Sequence, residues 1–121
     1  MKDFRKLHVW EKAHKLTLDL YGITSQFPVE ERYGLTSQIR RASVSIPANT
    51  AEGCGRDSEG ELLRFMRIAM GSSSELEYEL LLAHELGYIS DKEFNLIQGD
   101  LVAVRKMLNA FIQKLKSSIN R

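Results

Sequence analysis

The sequence predicts an all-α protein, an antiparallel up-down-up-down four-helix bundle built as a single domain over residues 1–121. Three observations predict it. Four segments carry apolar residues at alternating spacings of three and four, a period of about 3.5, as in helices that cross at shallow angles in a bundle. No segment alternates with period two for long enough to make a strand. The joints between the segments are short, so each helix has to turn back beside the one before it.

In the first segment Val9, Ala13, Leu16, Leu20, Ile23 and Phe27 mark one face of a helix that ends before Pro28. The second carries Leu35, Ile39, Ala42 and Ile46 and continues through Asn49 to Gly53. Pro47 falls inside it, removing one backbone hydrogen bond at about 3 kcal/mol unless the helix adapts. Ser43 and Ser45 are near enough to satisfy the freed groups, and Asn49 is placed on the core seam as a register-setting residue. A capping box of Ser58 and Glu61 opens the third segment, which runs Leu62, Met66, Ala69, Ser73, Leu76, Leu80 and Ala83. At roughly 29 residues it is about 43 Å long at 1.5 Å per residue. A second box, Ser90 with Glu93, opens the fourth, which runs Phe94, Ile97, Leu101, Val104, Leu108, Phe111 and Leu115. Gly53 and Gly87 stand where the second and third helices should stop, as left-handed C-terminal caps.

Composition narrows the classes of function. The chain is long enough for one core, and no apolar run approaches the roughly 20 residues of a membrane span. The opening MKDFRKLHVWEKAHKL has no signal-peptide core, so a cytoplasmic protein is expected. The single cysteine, Cys54, excludes an intramolecular disulfide. Net charge is +1, yet residues 32–67 hold six arginines against four acids. Residues 71–100 hold seven acids against Lys92 alone, and residues 101–121 hold five bases and no acid. Segregation of this kind gives strong local fields despite a near-neutral sum.

Catalytic patterns are sparse. A di-iron bundle needs two Glu-x-x-His pairs, and Glu11 with His14 is the one present. Glu75 and Glu79 share a helix face off the core stripe, and His8, His14 and His84 read as surface or flanking residues. No Gly-x-Ser-x-Gly occurs. Gly53-Cys54-Gly55-Arg56 lacks the Lys-Ser/Thr of a phosphate-binding loop and reads as a turn, with Arg56 near enough to lower the Cys54 pKa. No metal, cofactor, small-molecule substrate or enzymatic activity is expected.

Two helices carry apolar residues outside the core stripe. Opposite that stripe on the second lie Ser37, Val44, Ala48 and Ala51, flanked by Arg40 and Arg41; the back of the third carries Ile68, Gly71, Tyr78 and Leu82. Another subunit is the natural cover. Val44, Ala48, Ala51, Ile68, Tyr78 and Leu82 are therefore the expected oligomer interface.

The stretch Tyr33-Gly34-Leu35, Gln38-Ile39-Arg40-Arg41-Ala42, Ser45-Ile46, Asn49 and Ala51-Glu52-Gly53 is distinctive. With Arg56, Ser58, Glu61, Phe65, Ile68-Ala69, Gly71-Ser72 and Glu75-Leu76-Glu77, it resembles the four-helix bundle family named for 23S rRNA intervening sequences. Leu7, Val9-Trp10, Ala13, Tyr21 and Phe27-Pro28 fit as well, while Thr50 stands where the family usually has an aliphatic residue. The resemblance implies a homopentameric ring and kinship with the accessory proteins of diversity-generating retroelements, which bind nucleic acid and a reverse transcriptase. Two expectations follow. One is a scaffold associated with RNA or DNA, with Arg40, Arg41, Arg56, Arg64 and Arg67 as phosphate contacts. The other is a pure protein-interaction scaffold, such as an accessory subunit to a reverse transcriptase, whose arginines pair with third-helix glutamates across subunits.

Overall fold

The computed structural model describes residues 2–120; Met1 and Arg121, the latter counted above among the C-terminal bases, lie outside them. Four helices run α1 (His8–Thr24), α2 (Leu35–Cys54), α3 (Glu59–Glu85) and α4 (Asp91–Ile119), and no strand occurs among the described residues. Each packs on its chain neighbours, and α4 closes the ring against α1. That is the antiparallel up-down-up-down bundle. The predicted stripes meet at its axis, where Leu16, Leu20, Ile39, Ile46, Met66, Leu76, Leu80, Leu101, Val104 and Leu108 are fully buried.

α1 is shorter than its apolar stripe. The hydroxyls of Thr24 and Ser25 donate to the carbonyls of Leu20 and Gly22, satisfying the last turn and releasing the chain. Phe27 lies beyond the helix yet is still buried, its ring 5.4 Å from that of Tyr88. The start of α2 is tied to the same corner, because Glu31 accepts from the Leu35 amide and from the Tyr88 hydroxyl. That bond to a carboxylate raises the Tyr88 pKa.

Ser90 and Glu93 form a complete capping box. Ser58 forms half of one: its hydroxyl accepts from the Glu61 amide, while the Glu61 carboxylate turns to Arg64. Gly87 is the left-handed cap expected of it, with φ of 82°, and the Tyr88 amide reaches back to the Ala83 carbonyl.

Gly53 is not a cap. It is buried inside α2 with helical neighbours, and the helix continues through Cys54 to end on Gly55 in a right-handed conformation. A Cβ at Gly53 would lie 2.9 Å from Leu62 Cδ1 and 3.0 Å from Phe65 Cβ. This glycine sets how closely α2 and α3 approach.

Pro47 is also accommodated differently from expectation. The proline ring deprives the Ser43 carbonyl of its i+4 amide. The Thr17 hydroxyl of α1 lies 3.0 Å from that carbonyl and fills the place. Ser43 donates instead to the Arg40 carbonyl, and Ser45 bonds to Ser72 across the α2–α3 seam. Asn49 is half-buried beside this contact and donates to the Ser45 carbonyl and hydroxyl, while Thr50 takes the fully buried seam position. The Thr50 hydroxyl is satisfied by the Ile46 carbonyl at 2.9 Å, which is how a polar residue fits there.

Candidate interaction surfaces

The five predicted phosphate contacts do not form one patch. Arg40 is half-buried and committed to the end of α1: its Nε donates to Thr24 Oγ1 at 2.9 Å, an Nη donates to the Tyr21 carbonyl, and the guanidinium stands 4.5 Å from the Tyr21 ring. A cation at a helix C-terminus is favourable to the helix, so Arg40 acts as a clasp between α1 and α2. Arg56 and Arg64 lie at the other end of the bundle, both over Phe65, and pair with Glu52 at 2.7 Å and Glu61 at 3.1 Å. The Arg64 hydrogen bond holds the Glu61 carboxyl below its ordinary range. The run of α2 from Arg40 to its end at Cys54 spans roughly 21 Å, and Arg56 lies just beyond it. Arg41 and Arg67 are exposed and make no ion pair among the described residues.

The predicted interface residues are exposed or half-buried, and one of them, Leu82, packs against the core. On α2, Val44 is 39% exposed and Ala48 is exposed, with Ala51 half-buried. On α3, Ile68 is 41% and Tyr78 62% exposed, whereas Leu82 is half-buried against the core. Between the helices runs a polar groove lined by Gln38, Arg41, Ala42, Ser45, Ser72 and Glu75.

On α3 the expectation for Glu79 is overturned. It does not lie off the core: it is 3% exposed, its Oε1 has no hydrogen-bond partner, and it makes no ion pair. Burial, and after it the hydrogen bond and charge of Glu75 one turn away, push its pKa up to about 8. Both effects favour the neutral acid over the carboxylate. Cys54 is corrected in the same sense. It ends α2 rather than occupying a loop, it is buried, and desolvation raises its thiol pKa instead of Arg56 lowering it.

Two features escaped sequence reasoning. Between α1 and α2 an open groove gathers Tyr21, Arg32, Tyr33, Arg40, Arg41 and Val44, with the Arg32 guanidinium 5.8 Å from the Tyr33 ring. Tyr33-Gly34 entered only through the family resemblance, and Arg32 was one charge in a run. Along the α1–α4 seam Leu18 is 59% and Leu96 63% exposed amid Lys15, Asp19, Glu93 and Asp100. Among the described residues no three His, Cys, Asp or Glu side chains gather as a metal would require, and no helix is long and apolar enough to cross a membrane.

Fold and surface together define a four-helix bundle of the up-down-up-down class, with a polar groove between its second and third helices. Residues 5–110 match the family described as 23S rRNA-intervening sequence protein, and the chain belongs to it. A crystal structure of a protein of unknown function from the S23 ribosomal protein family of Bacteroides thetaiotaomicron is similar, with a TM-score of 0.78 and 26% identity. The match covers 86% of this chain and 97% of that one. No curated protein matches.

Proposed function

We propose that this chain is a non-enzymatic subunit of a homo-oligomeric scaffold, a pentamer by family resemblance, assembled through the outer side of α2 and α3. The observation that carries the reading is the outward face of α2, where Val44, Ala48 and Ala51 run along the helix without a polar cover. Small residues allow another helix to come close, and apolar area of this kind favours association when removed from water. Ala48→Glu is expected to weaken association at least tenfold while leaving helix content unchanged, because the new carboxylate has to be desolvated without a partner. Light scattering after gel filtration measures it. A wild-type chain with the mass of one copy at micromolar concentration overturns the reading.

A specific observation also favours a nucleic-acid role for the assembly. The α1–α2 groove interleaves Tyr21 and Tyr33 with Arg32 and Arg41, aromatic faces for stacking beside charges for phosphate. Repetition around a ring multiplies such contacts. The double variant Arg32→Glu, Tyr33→Ala is expected to lower affinity for single-stranded RNA or DNA at least tenfold and to flatten its salt dependence. Absence of any salt-sensitive shift with the wild type overturns this reading and leaves the protein scaffold standing.

A further inference from the structure

We propose that the groove between α1 and α2 is a binding site for a nucleotide that ends in a phosphomonoester, its phosphate seated at the start of α2 between Arg32 and Arg41 and its base against Tyr33. The inference rests on the nucleic-acid reading above. Of the four threonines buried in the bundle, Thr17, Thr24 and Thr50 each hold a carbonyl oxygen within hydrogen-bond distance of the hydroxyl. Thr36 is the exception. It is 8% exposed and lines the groove, and its hydroxyl has no hydrogen-bond partner among the described residues. A buried hydroxyl is ordinarily paired, so this one is suited to an acceptor from outside the chain. It stands at the opening of α2, where Gly34 brings no capping side chain and Glu31 takes the Leu35 amide. The next two amides, of Thr36 and Ser37, have no carbonyl to bond, which leaves the positive end of the helix open to an anion.

The groove lining holds three arginines and no acid. Arg40 is held by Tyr21 and Thr24, whereas Arg32 makes no ion pair among the described residues. Arg41 also borders the α2–α3 groove, where Glu75 stands, and is paired in neither. Glu31 is occupied by the Leu35 amide and the Tyr88 hydroxyl. Helical side chains lean toward the N-terminus, so Arg41 reaches back over the turn that carries Ser37. Two guanidiniums, the Thr36 and Ser37 hydroxyls and two amides are more donors than an internal phosphodiester can use, with its single charge and two free oxygens. A terminal monoester presents three oxygens and a charge of about −1.5 to −2 at pH 7. Tyr33 is 89% exposed and offers a face on which a base can stack. The groove, about 560 Å³, is of the size of small-ligand sites.

Calorimetric titration of the full chain at one ionic strength tests this with three probes. They are a uridine oligoribonucleotide phosphorylated at both ends, the same strand with hydroxyls at both ends, and free uridine monophosphate. The phosphorylated strand is expected to bind about tenfold more tightly than the hydroxyl strand, the scale of one charge-assisted contact. Uridine monophosphate binding as tightly as the phosphorylated strand assigns the site to free nucleotides, and weaker binding assigns it to strand ends. Thr36→Val and Arg32→Gln should each remove most of the preference for phosphate, whereas Tyr33→Ala should weaken both strands alike. Arg32 is exposed, so its variant keeps the fold even where Thr36→Val disturbs α2. Equal affinity for the two strands, or a preference that survives both substitutions, overturns the inference and leaves the nucleic-acid reading standing. Binding of the monophosphate alone keeps the site and overturns that reading. No binding by any probe overturns both.

Discussion

Replacing Gly53 with valine is expected to destabilise the bundle by about 3 kcal/mol, at the upper end of what overpacking a core does. The Cβ alone would stand 2.9 Å from Leu62 Cδ1, 3.0 Å from Phe65 Cβ and 3.4 Å from the Leu62 carbonyl oxygen. Leu62 Cδ1 is the end of a flexible side chain and can rotate away. The other two atoms are fixed to the α3 backbone, so α3 itself has to retreat, and the two γ-methyls of valine widen the gap further. Alanine tests the same contact more gently. Its helix propensity gains about 1 kcal/mol over glycine, but the forced shift of α3 outweighs this, for a net loss of about 1 kcal/mol. Gly99, exposed within α4 and with nothing near its would-be Cβ, is the control. Gly99→Ala should stabilise by about 0.5–1 kcal/mol. Urea unfolding of the three variants measures all of this, and a Gly53→Ala chain as stable as Gly99→Ala would contradict the close-approach role.

Gly53 and Gly87 also mark how far the fold was legible. Both are glycines near the end of an apolar stripe, and the sequence signal is the same. One turns left-handed because nothing beyond it continues the helix; the other stays helical because α3 presses on it. The stripes themselves were readable because period is a local property, and four of them with short joints leave few topologies. What failed depended on neighbours. Glu79 shares a helix face with Glu75, and nothing in the chain order shows that packing buries one and leaves the other open. The arginines read as a run of charge, whereas Arg40 folds onto α1 and Arg56 and Arg64 fold onto Phe65 and nearby glutamates. Arg32 and Tyr33 were missed since their groove exists only after α1 and α2 pack.

The cross-helix bond around Pro47 yields the second large effect. Thr17→Val is expected to destabilise the fold by about 2 kcal/mol, which for a domain of this size lowers the melting temperature by roughly 6–12 °C. Valine fills the same volume, so packing stays nearly unchanged and the loss is that of one hydrogen bond. The hydroxyl has a single hydrogen and two carbonyls within reach, Ala13 at 2.9 Å and Ser43 at 3.0 Å. The Ala13 carbonyl already receives the backbone amide of residue 17 in the helical ladder. The Ser43 carbonyl has no ladder partner, because position 47 is proline. The hydrogen therefore stabilises more when it points at Ser43, and without it a buried carbonyl is left unpaired. A double-mutant cycle isolates this. Pro47→Ala restores an amide four residues after Ser43, and in that background Thr17→Val should lose little, giving a coupling energy of about 1 kcal/mol or more. Equal losses in the two backgrounds would show that Thr17 serves its own helix, and that the carbonyl freed by Pro47 is satisfied elsewhere.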